Sequence, residues 1–373
     1  MAQEPSGIVV EAEGNLAISN GRKFQKLNDP YMLPTDSDEH SRLDLQHEIV
    51  RLMLGGELYQ TPELVKSTLS PQENTMRRIL DVGAGSGKWY NEFARFRIVS
   101  YLYFIRAIEM ARKFPHADVL GINLVEPNIL SDPTRPVPSN CSFQIADANK
   151  DMGKISSGYD LVHVRFIEAG IDDSDLFFYD AARILRPGGL LLLVGGDVQL
   201  VDEHGKYVPL QKPGTVRYSH LQHLVCCLKE AHLKFGPPRL RYHFWRSMLE
   251  SNPNYSNVQI KELLVPTGPR SNNLNETERK LAESMQTNLL RVLPVFKAGI
   301  LHDKSLPEEF VNNLAEGAMK EVREMSTVIH RYLKFVFAAA VQNDILWAAR
   351  KKPWQEPPGY DLYDYFVRPL HKE

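Results

Sequence analysis

Three glycines at alternate positions, Gly83, Gly85 and Gly87, follow the apolar run Ile79, Leu80 and Val82, and Asp81 stands just ahead of them. Glycine lacks Cβ, so such a turn reaches positive φ and lets a ligand approach the backbone. A short apolar run ending in glycine reads as a buried strand entering a tight turn. In open α/β sheets the ligand crevice lies at the carboxyl ends of the strands. The spacing is G-x-G-x-G, not the G-x-G-x-x-G that sets a helix N-terminus against a pyrophosphate. A carboxylate at that place suits a cationic ligand group.

Polar residues also close the later apolar runs. Ala117 to Leu124 carries Asn123 near its end, with Glu126 three residues on. Cys141 to Ile145 leads into Asp147 and Ala148, and Tyr159 to Phe166 interleaves His163 and Arg165 with Val162, Val164 and Phe166. Polar groups at the end of a buried strand need partners. His163 suits a general base, since its pKa lies near neutrality, or a satisfied core position. Arg165 suits a carboxylate of ligand or substrate. His220, His223, His232 and His243 match no zinc spacing, and Cys141, Cys226 and Cys227 make no C-x-x-C pair. No metal is expected.

These residues need a scaffold of alternating strands and helices. Strands are expected at 79–82, 117–124, 141–145, 159–166, 190–194 and 258–265. Asp36, Ser37 or Asp38 caps a first helix, whose apolar face is Leu43, Ile49, Leu52 and Met53 and which Gly55-Gly56 stops. Further helices are expected from Asp172–Ser174 to Leu185, around 221–233 and 244–249, and over 276–298 and 307–327, the penultimate one kinked at Pro294. The chain divides into an N-terminal arm (1–20), a helical lid (21–75), a ligand-binding core (76–200), a helical substrate-side segment (201–257), last strands with a helical cap (258–353) and a tail (354–373).

The glycine turn with its preceding acid resembles the first motif of the class I S-adenosylmethionine (SAM) methyltransferases. Tyr31, Pro34, Asp36, Arg42, Asp44, Gln46, His47, Leu54, Gly55, Gly56, Leu58 and Tyr59 resemble the fungal methyltransferases of secondary metabolism, and the likeness runs from about Gly21 to the end. It implies a Rossmann-like, mostly parallel seven-stranded sheet with helices on both faces and extra helical lid segments. It also implies SAM as cofactor, held by Asp81, Gly83, Gly85 and Gly87. Asn123 or Glu126 would meet the ribose and Asp147-Ala148 the adenine, with Arg165, Tyr31 and Arg42 contributing. The alternative for Arg42, Asp44 and His47 is a solvated helix face, and for Asp147 a loop cap. Leu185, Pro187, Gly188 and Gly189 resemble the turn before the family's fifth strand, and Ile345 to Pro353 its last strand and exit.

One stretch departs from the family pattern. Relatives run Gly-x-Trp directly into Ala-Ile-Glu-Met-Ala, whereas here Trp89 and Ala107 are separated by Tyr90 to Arg106, 17 residues or 51 nucleotides. The length is in frame and the flanking codons are compatible with G-T and A-G ends, so a retained short intron is hypothesised. A dominant transcript containing these codons would reject it.

The resemblance implies O-methylation of a small phenolic or polyketide-like acceptor in the cytoplasm, with Phe235, Phe244, Trp245, Met248, Met285 and Phe296 as an apolar acceptor lining or as ordinary core. The alternative is a SAM-binding nuclear regulator acting through protein partners. A formal net charge of −2 provides no global basic field for nucleic acid. No run of 18 apolar residues suggests a membrane span. Three cysteines fit a reducing compartment. The start of the chain shows no secretory pattern.

Overall fold

A computed structural model describes residues 16–19, 22–27, 34–84, 106–125, 136–234, 242–269, 274–303, 305–324 and 331–343. Two short strands, β1 (Leu16–Ser19) and β2 (Arg22–Gln25), form an antiparallel hairpin. Part of the expected N-terminal arm is therefore ordered backbone, because its last residues pair with the strand that follows.

The helix α1 (Ser37–Met53) is capped by Asp36, whose carboxylate accepts from the Glu39 N–H at 3.1 Å. Asp38 and Glu39 suit the positive end of its dipole. A short helix α2 (Pro62–Thr68) follows, with proline in its first turn, where the missing N–H costs nothing.

The main sheet contains β3 (Arg77–Val82), β4 (Ala117–Asn123), β5 (Cys141–Ile145), β6 (Tyr159–Arg165), β7 (Leu185–Val201), β8 (Tyr255–Pro266) and β9 (Tyr332–Gln342). Their spatial order is β5-β4-β3-β6-β7-β9-β8. The β3–β4, β4–β5, β3–β6 and β6–β7 ladders are parallel, and β9 runs antiparallel between β7 and β8. The order reverses at β3, which has β4 on one side and β6 on the other. Carboxyl ends of strands at such a reversal form the ligand crevice of open α/β sheets.

The helices that cover the sheet are α3 (Arg106–Lys113), α4 (Ser174–Ile184), α5 (His220–Lys234), α6 (Trp245–Ser251), α7 (Glu276–Asp303) and α8 (Glu308–Glu324). Asp173 caps α4, its carboxylate accepting from the Leu176 N–H at 2.9 Å. Strand alternation sorts the apolar residues between the two faces. Leu80, Val82, Val162, Val164, Leu191 and Leu193 pack against α4 and α6. On the opposite face Ile79, Leu161, Leu190 and Leu192 pack against α2 and α3. Further along that face Val194, Phe335 and Phe337 join a cluster with α1, α5, α7 and α8.

The seventh strand is Tyr332–Gln342; the stretch 345–353, expected to supply it, falls outside the described residues. Pro294 lies inside α7, which continues to Asp303.

Candidate functional site

Asp81 is the fifth residue of β3, and its register partner on β6 is His163. Both follow residues of the α2–α3 face by two positions, so their side chains share that face. Gly83 then breaks the strand at φ +72°, and its N–H and that of Ala84 both donate to the Ile122 carbonyl at 3.1 Å. A Cβ on Gly83 would lie 2.7 Å from Ile167 Cγ2 and 3.0 Å from the Arg165 carbonyl oxygen. Only glycine satisfies both the backbone and the space there. Gly85 and Gly87 lie outside the described residues, as do Tyr31 and Glu126.

A buried polar network fills the same face beside the turn. Arg165, at the end of β6, donates from Nη2 to the Leu58 carbonyl, from Nη1 to His47 Nδ1 at 3.0 Å, and from Nε to His163 Nε2 at 3.4 Å. His47 in turn donates from Nε2 to Glu109 on α3 at 2.7 Å, and Arg51 approaches the other oxygen of that carboxylate at 3.4 Å. Guanidinium has no acceptor, so each histidine nitrogen facing Arg165 must carry the lone pair. Burial is the main cause that pulls both imidazoles below their ordinary value of 6.5, His163 well below it. Burial also lowers Arg165 to about 9, leaving it charged at neutral pH.

Burial changes the reading of His163. Its side chain is fully enclosed, one nitrogen is occupied by Arg165, and the other has no hydrogen-bond partner among the described residues. A general base must reach its proton donor, and this imidazole faces packed protein. The structure supports the core-histidine alternative. Arg165 likewise braces the loop at Leu58 and the helix α1, with its guanidinium already engaged on three sides.

Arg42 also differs from its expected cofactor role. It makes a fork with Glu39 (2.9 and 2.6 Å), meets Gln46 at 2.7 Å and reaches Asn288 of α7 at 3.4 Å. The guanidinium is buried and spent on holding α1 against α7. It is not a solvated face either, because an arginine enclosed by a helix contact must find its partners inside the protein.

At the other strand ends, Asn123 is half-buried and its amide donates to the Val125 carbonyl at 3.3 Å. Asp147 accepts from the Asn149 N–H at 3.0 Å and approaches Lys150 Nζ at 3.2 Å, while its own N–H donates to Asp151 at 2.8 Å. This is the loop-capping arrangement, with Ala148 packed on the core beside it. Beyond β6, Phe166 takes φ +52°, uncommon for a bulky residue. The segment that follows brings Ile167 to Gly83, and the Glu168 carboxylate to Gly195 at the end of β7. Glu168 lacked any sequence signal; only its place beside Gly195 draws attention to it.

The expected acceptor-lining residues Phe244, Trp245, Met248, Met285 and Phe296 are all buried core, divided between the clusters on opposite faces. Phe235 lies outside the described residues. No cluster of three metal-ligating side chains occurs among the described residues.

Asp81 itself has a partner. Arg106 of α3 forms an ion pair with its carboxylate, whose two oxygens have no hydrogen-bond partner among the described residues, and donates to the Val82 carbonyl at 3.1 Å. Thus Gly83 is a packed turn, the space of a Cβ being held by Ile167 and the Arg165 carbonyl oxygen. The carboxylate expected to meet a cationic ligand does not fit that role, because a cation from this chain is already there.

Residues 57–234 match the family described as Methyltransferase domain. With the strand order and the turn at the end of β3, this makes the chain the bearer of a class I methyltransferase domain, whose cofactor is SAM. It is similar to fungal proteins of secondary metabolism. The secondary metabolism regulator laeA of Coprinopsis cinerea is 32% identical over 172 residues, covering 46% of this chain and 37% of that protein. Methyltransferase str2 of Strobilurus tenacellus is 27% identical over 244 residues, 64% of this chain and 72% of its own. The phosphoethanolamine N-methyltransferase 2 of Haemonchus contortus, solved with SAM, has a TM-score of 0.37 at 16% identity, over 86% of this chain and 62% of that one. The chain thus spans well under half of the first relative's length. No helix among the described residues is long and apolar enough to cross a membrane.

Proposed function

We propose that the protein is a SAM-dependent methyltransferase that methylates an oxygen of a small aromatic or polyketide-like metabolite in the cytoplasm. The observation that carries this reading is the methyltransferase domain over residues 57–234, with its glycine turn at the sheet reversal. Similarity to str2, a protein named as a methyltransferase, supports it. SAM supplies an electrophilic methyl group. This chain supplies the turn at Gly83 and a rigid polar network around Arg165 that fixes the strand ends beside it. Holding two reactants in line contributes much of the rate of such transfers. The acceptor side is the Phe166–Glu168 segment, which reaches Gly83 through Ile167 and Gly195 through Glu168 at the carboxyl ends of β3, β6 and β7.

A second reading, a SAM-binding regulator working through protein partners in the nucleus, is favoured by the similarity to the laeA regulator. Incubating the protein with methyl-labelled SAM and a panel of phenols separates the two. Labelled small-molecule product supports the enzyme. Absence of product with SAM bound, together with a stable co-purifying protein, supports the regulator.

A further inference from the structure

Arg106 is in an unfavourable place by every physical measure except one. It is buried, and desolvation, followed by the nearby positive charge of Arg165, drives its pKa well below the ordinary 12.5. Its Nε has no hydrogen-bond partner among the described residues. What holds it is the Asp81 carboxylate, with help from the Val82 carbonyl. A buried pair of this kind is retained because breaking one side leaves an uncompensated charge, not because it stabilises more than an apolar pair would.

The sequence at Arg106 also departs from the family's pattern. Arg106 is the last of the 17 residues, Tyr90–Arg106, that separate Trp89 from Ala107. Arg106 therefore belongs to the stretch that the family pattern lacks.

We propose that Arg106 competes with SAM for the Asp81 carboxylate, so that the chain containing Tyr90–Arg106 binds the cofactor weakly, and that joining Trp89 directly to Ala107 frees the carboxylate. This rests on the cofactor assignment above. It also explains in physical terms why the expected anion is present yet occupied: the same carboxylate that attracts a sulfonium ligand attracts a guanidinium tethered on the next helix, and the tethered one is always at hand.

The test is a calorimetric titration of S-adenosylhomocysteine and SAM into three proteins: the full chain, Arg106→Met, and the chain lacking Tyr90–Arg106. Circular dichroism melts establish that each is folded. The expected result is at least a tenfold tighter SAM dissociation constant for either variant than for the full chain, and loss of that gain when Asp81→Asn is added. The deletion serves as the second route if Arg106→Met, which strands a buried carboxylate, fails to fold. Equal SAM affinity in the full chain and a folded variant overturns the competition while leaving the cofactor assignment standing. No binding of either nucleoside by any folded protein overturns both.

Discussion

His47 on α1 and Glu109 on α3 are joined by a hydrogen bond of 2.7 Å across 62 residues of sequence, and the other ring nitrogen of His47 accepts from Arg165 on β6. A single imidazole therefore locks a helix of the N-terminal segment to the central sheet and to the helix that follows the glycine turn. Because Arg165 can only donate, the proton of neutral His47 lies on the nitrogen facing Glu109.

Acid sensitivity follows from this tautomer. Adding a proton to His47 or His163 would point a new N–H at Arg165, and burial already holds both below 6.5. Unfolded, each takes up a proton near 6.5, while the folded protein resists it. Below that pH the unfolded state binds more protons, so stability falls as pH falls and recovers as it rises. Melting temperatures between pH 7.5 and 5 should show this acid limb, and His163→Gln should flatten it. An unchanged slope in that variant would refute the assignment.

Gly83→Ala should destabilise the protein by about 1–3 kcal/mol, the cost of a strained backbone position, aggravated by the 2.7 Å approach to Ile167. Gly188→Ala, also at positive φ but with nothing within 4 Å of its Cβ, provides the control for backbone strain alone. Urea midpoints compare them; the larger loss is expected at Gly83.

Asp160 accepts from Arg77 at 2.6 Å and from the Arg78 N–H at 2.9 Å, and Arg186 reaches the same carboxylate. Arg77 and Asp160 are both buried. Asp160→Ala should cost about 3–5 kcal/mol, because it strands a buried guanidinium. A chemical denaturation curve reads it, and a loss below about 1 kcal/mol would mean that water reaches Arg77.

Arg42→Met should lower stability by about 3 kcal/mol through the stranded Glu39, without changing the dissociation constant for S-adenosylhomocysteine. A selective loss of ligand affinity in a protein of normal stability would restore Arg42 to the cofactor site.

Much of the sheet was legible because its strands are short apolar runs closed by glycine or a polar residue, as at Ile79–Gly83 and Leu190–Gly195. The helix starts at Asp36 and Asp173 were legible from local capping chemistry. β9 was not. Its run Phe337 to Val341 is apolar on both sides, with three alanines, and carries no alternation to mark a strand. A strand buried on both faces reads like a helix core. In the site, the turn was visible because glycine spacing is local. Arg42, His47 and Arg165 were not separable by type, since all three are basic side chains near apolar residues; what distinguishes them is partners up to 246 residues away. The occupancy of Asp81 by Arg106 was hidden for the same reason.

The placement of β9 bears on how the chain is made. Among the described residues β8 has β9 as its only neighbour in the sheet, and β7 also pairs along its outer edge with β9. A ribosome must therefore deliver nearly the whole described chain before β9 can pair with both strands, and the nascent protein carries two open strand edges throughout elongation of α7 and α8. Unpaired edges invite pairing with other chains, so yield on expression should respond to chaperone supply more than the stability of the finished fold would suggest.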